Sequence, residues 1–136
     1  MLPDKIYNFL SEYGIDISES HGAFQLYDRR LEEDPSIRYN LKEYPSYYWC
    51  LDNTHIYDFI ALCYEEKTPI IGIQIIVKKK GDYNLSWDVW CYERKDGENI
   101  DSYLMNSIKG AVEYTKYFIR KKDRFFEFTL DLDDLE

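Results

Sequence analysis

The chain is poor in the residues from which phosphate-binding loops are built. Its six glycines stand apart from one another, and neither G-x-x-x-x-G-K-[ST] nor G-x-G-x-x-G occurs. The usual nucleotide-dependent chemistries are therefore not indicated. The G-x-S-x-G turn that exposes a serine nucleophile is missing as well. Cysteine is scarce (Cys50, Cys63 and Cys91), histidine scarcer, and no C-x-x-C or H-x-x-x-H pair offers the close ligands of a zinc site. Positive charge is in deficit: 17 basic residues against 26 acidic ones give a formal charge of −9. That charge repels phosphate backbones and anionic headgroups over a Debye length or so, which disfavours direct binding of nucleic acid or a membrane surface and favours a basic protein partner. No apolar run approaches the roughly 20 residues of a membrane-spanning helix. The N-terminal "MLPDKIYNFLSEYG" lacks both the basic and the apolar stretch of a signal peptide. A cytoplasmic protein with reduced thiols, and with no metal or cofactor, is the expectation.

What the chain has in quantity is aromatic side chains, 18% of the total, with 14 tyrosines and three tryptophans. Amphipathic rings give large contact area at low entropic cost. With 136 residues and 45% hydrophobic content, the chain suits one compact domain over 1–136, with an acidic tail at 131–136 that frays.

Leu2, Ile6, Phe9, Leu10 and Tyr13 fall at helical spacing, with Pro3 for the first turn and Gly14 for a left-handed stop. Residues 15–43 carry mixed signals. From Tyr47 to Tyr92, β-branched and aromatic runs broken by "DNTH", "EEKTP" and "KGDY" predict antiparallel strands near 46–51, 56–64, 70–79 and 84–92. A second helix begins near Asp101, on the stripe Leu104, Ile108, Ala111, Val112, Thr115, Phe118 and Ile119, and ends in the cations of "RKKDR". "RFFEFTLDLDDLE" alternates as a fifth strand. The fold class is α+β: an antiparallel meander of four to five strands, with an N-terminal helix and a long helix in the C-terminal half packed on one face.

Hydrophobic matching around a loop at Lys80-Gly81-Asp82 pairs Ile71, Ile73, Ile75 and Val77 with Cys91, Val89, Trp87 and Leu85 as the covered face. Trp90, Tyr92 and Asp88 then share the opposite face, which two helices leave open unless residues 15–43 fold over it. An exposed patch of aromatics and carboxylates reads as a binding surface.

Cys50, His55 and Asp58 contain the residue types of a thiol enzyme. A hairpin turning at "DNTH" keeps them apart, with His55 at its tip. Asp82, Glu93 and Lys95 follow the D…ExK order of restriction-type nucleases, yet one unbroken strand holds the two acids roughly 35 Å apart. Glu127, Asp131 and Asp133 occupy alternate or next-alternate positions of the last strand. At about 6.6 Å per two residues they suggest a row of carboxylates spaced like phosphates, able to enter a basic groove as a nucleic-acid mimic.

Small size, negative charge and surface aromatics together form a profile that resembles immunity proteins paired with bacterial toxins, and phage anti-defence proteins that disable host nucleases. The likeness is one of type, without a shared motif. It implies a non-enzymatic inhibitor whose partner is a basic protein, a toxin or a nucleic-acid-processing enzyme, with Trp90, Tyr92, Asp88, Tyr48, Asp131 and Asp133 as contacts. Two other classes stand beside it: a small enzyme using Asp88, His55 and Cys91, and an assembly subunit that forms homo-oligomers through its sheet.

Overall fold

The computed structural model describes residues 2–17 and 49–133. The expected α+β architecture, with antiparallel strands, an N-terminal helix and a long helix in the C-terminal half, is what it shows. Helix α1 (Asp4–Tyr13) buries Ile6 and Leu10. Gly14 ends it, though in an extended conformation (φ −73°, ψ 149°) rather than the left-handed one expected. Glycine is needed there for proximity: a Cβ would lie 2.4 Å from the Leu10 carbonyl oxygen, which accepts the Gly14 N–H at 2.8 Å. The chain then forms β1 (Ile15–Asp16), antiparallel to β2 (Trp49–Cys50).

The strand expected at 56–64 is instead helix α2 (Ile56–Glu65), and there is no hairpin at "DNTH". Ile56, Phe59, Ile60 and Cys63 lie at i, i+3, i+4 and i+7, and all four are buried. Asp52 orders the turn that leads into the helix. Its Oδ1 accepts the Thr54 N–H at 3.0 Å and lies 2.9 Å from His55 Nδ1, a side-chain turn just before the first helical residue; no side chain caps the helix itself. Asn53 Nδ2 donates to the Ile119 carbonyl at 2.8 Å and ties this turn to the one that follows the next helix.

Strands β3 (Ile70–Lys79) and β4 (Asp82–Cys91) form a hairpin around the two-residue loop Lys80-Gly81, both at positive φ (53° and 80°). Two such residues make the mirror-image turn whose twist suits a hairpin. That turn puts Lys79 opposite Asp82 and Ile76 opposite Leu85; farther along, Ile73 faces Trp90 and Gly72 faces Cys91. Each pair differs by one from the expected register, in opposite senses on the two sides of a bulge, because β4 spends two more residues than β3 between these segments. Gln74, buried, supports the bulge: its Nε2 donates to the carbonyls of Ser86 (2.9 Å) and Asp88 (3.3 Å).

Helix α3 (Ile100–Lys116) opens on Asn99, whose side chain accepts the Ser102 N–H at 2.8 Å. Strand β5 (Arg124–Leu130) returns along the other side of β3, so β3 is central, with β4 and β5 as its neighbours. A bridge of reciprocal Leu51–Phe126 hydrogen bonds (2.8 and 2.9 Å) joins β2 to the outer side of β5. The bridge covers β5 at that point, and Glu127 beside it is fully buried, which removes it from the expected exposed row of carboxylates.

The three helices among the described residues cover one face of the sheet. Ile6, Leu10, Phe59, Ile60, Ile73, Ile75, Ile108, Phe126 and Phe128 form the main core, in which Phe59 meets Phe128 at 4.9 Å between ring centroids. On the opposite face, Ile17, Cys50, Ile76 and Phe125 make a smaller cluster with Tyr83 and Leu85 beside it. Any cover supplied by residues 18–43 lies outside the described residues.

Candidate functional site

Because Ile73 faces Trp90, the register turns Trp90 and Tyr92 to the helix side, not to the uncovered side as the expected pairing had them. Trp90 lies against α3 at Gly110, where an added Cβ would come within 2.6 Å of the indole Cζ2. Glycine at this mid-helix position lets a flat ring rest on the helix backbone. From there a row of rings runs along the edge of the domain: Tyr114 and Trp90 (6.4 Å), Trp90 and Tyr92 (6.3 Å), Tyr92 and Tyr103 (6.0 Å). Trp90, Tyr92 and Tyr114 are half-buried, so each keeps an accessible part.

Polar groups fix the row in place. Tyr92 Oη donates to Glu98 Oε2 at 2.7 Å, Asn106 Nδ2 donates to the same oxygen, at 2.6 Å, and the Lys95 N–H donates to Glu98 Oε1 at 3.0 Å. These donors, the Lys95 N–H foremost, hold the Glu98 carboxyl below the usual range. Tyr103, buried, donates to Asp131 Oδ2 at 2.6 Å, and the guanidinium of Arg94 sits 5.2 Å from its ring centroid. Burial, then Asp131, drives the Tyr103 phenol well above its ordinary range. Tyr92 is raised in the same way, by burial and then by Glu98. At the other end of the row, burial followed by the charge of Asp88 pushes Tyr114 up to about 12. The tyrosines are neutral donors at any physiological pH, and carboxylates stand at both ends.

Of the six residues expected at a contact surface, this arrangement gathers Trp90, Tyr92, Asp88, Asp131 and Asp133; Tyr48 lies outside the described residues. Asp88 and Asp133 are exposed, and Asp131 is half-buried and orders the Asp133 N–H at 3.0 Å. Sequence reading missed Arg94, Glu98, Tyr103, Asn106 and Tyr114. Tyr103 and Tyr114 each stand next to a member of the apolar stripe of α3, a signal that was available; Glu98 gave none.

The groups considered for chemistry do not converge. Cys50 is buried in the smaller cluster, His55 pairs with Asp52 and stacks on Tyr13 at 4.5 Å, and Asp58 is exposed on α2. Burial puts the thiols of Cys50 and Cys63 far above their ordinary range, so neither is a ready nucleophile. Asp82 begins β4 and Glu93 follows its other end. Among the described residues no three of His, Cys, Asp and Glu are grouped as a metal would require, and no helix is long and apolar enough to cross a membrane.

A small acidic α+β domain, with a rigid row of aromatic rings flanked by carboxylates, is the class that fold and surface define. The chain belongs to the immunity protein 40 family, whose model matches residues 40–130, two thirds of its length. No curated protein and no solved structure matches it.

Proposed function

We propose that this protein is the antidote to a protein toxin, which it neutralises by binding and without catalysis, in the cytoplasm where its buried thiols stay reduced. Family membership carries the inhibitor reading. The aromatic row carries its location: rings held by hydrogen bonds lose little freedom on binding, and anchors of this kind dominate interfaces. Asp88, Asp131 and Asp133 supply the charge that attracts a basic toxin and speeds encounter. Mimicry of a phosphate strand would rest on Asp131 and Asp133 alone, since Glu127 is buried.

The test is co-expression with a toxin candidate encoded by a neighbouring gene. Wild-type protein restores growth, and Asp88→Lys combined with Asp133→Lys slows association, most visibly at low salt. Growth arrest that persists with wild-type protein present would refute the antidote reading. An on-rate insensitive to the charge reversals at every salt concentration would move the interface elsewhere.

A further inference from the structure

Besides its side chains, β4 presents a backbone. It ends the sheet, and no strand among the described residues pairs with its outer side. The Tyr92 N–H donates to the Ile71 carbonyl at 2.9 Å, which points the backbone groups of Tyr92 toward β3. Directions alternate along an antiparallel strand, so Trp90 also faces β3, whereas the N–H and C=O groups of Val89 and Cys91 face outward. Val89 is 52% exposed and Cys91 is exposed. Proteins usually blunt such an edge with proline, a charge, a bulge or a covering element. Here the bulge is finished by Val89, and the stretch 89–91 carries neither proline nor charge.

We infer that residues 89–91 of β4 receive an extended segment of a basic partner polypeptide as an added antiparallel or parallel strand. This rests on the antidote reading and specifies how the partner is held. Charge selects the occupant. Asp88 and Glu93 bracket the edge, Glu98 and Asp131 lie on the ring side of it, and a second copy would bring another formal −9 and its own bracketing carboxylates against them. A strand from a basic protein has the opposite sign. Its alternate side chains would fall on the ring side, where Trp90 and Tyr92 offer faces to a cation, and beside Val89 and Cys91, where apolar residues fit. The recognised segment therefore alternates Lys or Arg with apolar residues.

The experiment uses the full chain, with the toxin that it neutralises in the co-expression test as probe. In the free protein the amides of Val89 and Cys91 exchange fast while those of Trp90 and Tyr92 are protected. In the complex, Val89 and Cys91 become protected as well. Cys91→Pro removes an outward N–H without touching the β3 pairing and weakens binding about tenfold or more, while Cys91→Val, which keeps the N–H, binds as wild type. Unprotected Val89 and Cys91 amides in a complex that does form would overturn strand addition and leave the antidote reading standing. So would a Cys91→Val loss equal to that of Cys91→Pro, or a complex containing paired copies of this chain through β4. If Cys91→Pro does not fold, amide exchange in the wild-type complex decides alone. If wild-type protein neutralises no toxin, the antidote reading falls and this inference falls with it.

Discussion

Gly110 should behave in opposite ways depending on what residue 90 is. Inside a helix glycine costs about 1 kcal/mol relative to alanine, so on an unobstructed helix Gly110→Ala would stabilise by about that amount. Here the new Cβ would sit 2.6 Å from Trp90 Cζ2, far inside the 3.4–4 Å of ordinary contact. The indole stacks on Tyr114 and lies tilted against Tyr92, which leaves it little room to yield. Overpacking of this kind costs about 1–3 kcal/mol, which leaves Gly110→Ala destabilising by about 0–2 kcal/mol once the helical gain is subtracted. Trp90→Ala alone should cost about 2 kcal/mol, below the full loss for a completely buried ring because Trp90 is half-exposed. In the Trp90→Ala background the obstruction is gone, and Gly110→Ala should then stabilise by about 1 kcal/mol. Urea unfolding of the four proteins, compared at constant slope, measures the cycle. Equal stabilisation by Gly110→Ala in both backgrounds would show that the indole does not rest on this glycine, and the positioning of the aromatic row would need another explanation. The same packing means that Trp90→Ala perturbs the fold as well as any interface, so loss of toxin binding in that variant must be read against its stability.

The thiols should divide into one and two: a water-soluble disulfide reagent modifies Cys91 in the folded protein, and Cys50 and Cys63 only after denaturant, since both are buried and their thiolates disfavoured. Prompt reaction of all three in native buffer would contradict the burial. Alkali should destabilise the protein through Tyr114. An unfolded tyrosine titrates near 10 and this one near 12, so the folded chain holds the extra proton between those values. Its stabilising contribution is complete below pH ~10 and is lost as pH rises through ~12, and Tyr114→Phe should flatten that limb of a melting-temperature profile. An unchanged profile in the variant would reject the assignment. Gln74→Leu should cost about 1–3 kcal/mol by stripping the donor from the carbonyls of Ser86 and Asp88 in the bulge. A change below about 0.5 kcal/mol in chemical denaturation would mean that water serves those carbonyls equally well.

The sequence carried the larger elements clearly where one pattern stood alone. Helix α1, the strands β3 and β4, helix α3 and the alternation of β5 could all be read from periodicity. The expected strand at 56–64 is a helix because two signals compete there: composition rich in isoleucine, tyrosine and phenylalanine argues for a strand, while the i, i+3, i+4, i+7 spacing of Ile56, Phe59, Ile60 and Cys63 argues for a helix. Spacing was the better guide, since it reports which side chains can share one buried face, whereas β-propensity mostly reports packing context. "DNTH" compounded the error, because an Asp in a turn that leads into a helix and an Asp that turns a hairpin look alike in sequence. What distinguishes them is the donor its side chain meets, here the Thr54 N–H and the His55 ring.

The contact surface depended on register, which periodicity could not settle. Apolar matching treats β3 and β4 as uninterrupted, but the two-residue loop at Lys80-Gly81 offsets the pairing one way and the bulge around Ser86–Asp88 offsets it back the other. No single alignment of two unbroken strands satisfies both segments. The consequence falls on Trp90 and Tyr92, which change faces. They were singled out for lying on a side the helices leave bare; they lie instead on the helix side, where Gly110, Tyr114 and Tyr103 hold them in a row at the open end of the sheet. That placement alters what each can do. On a bare face the rings would be mobile anchors, whereas against α3 they are fixed, and the outward amides and carbonyls of Val89 and Cys91 beside them meet no strand among the described residues. The shift of face thus directs attention from the rings themselves to the backbone edge they flank.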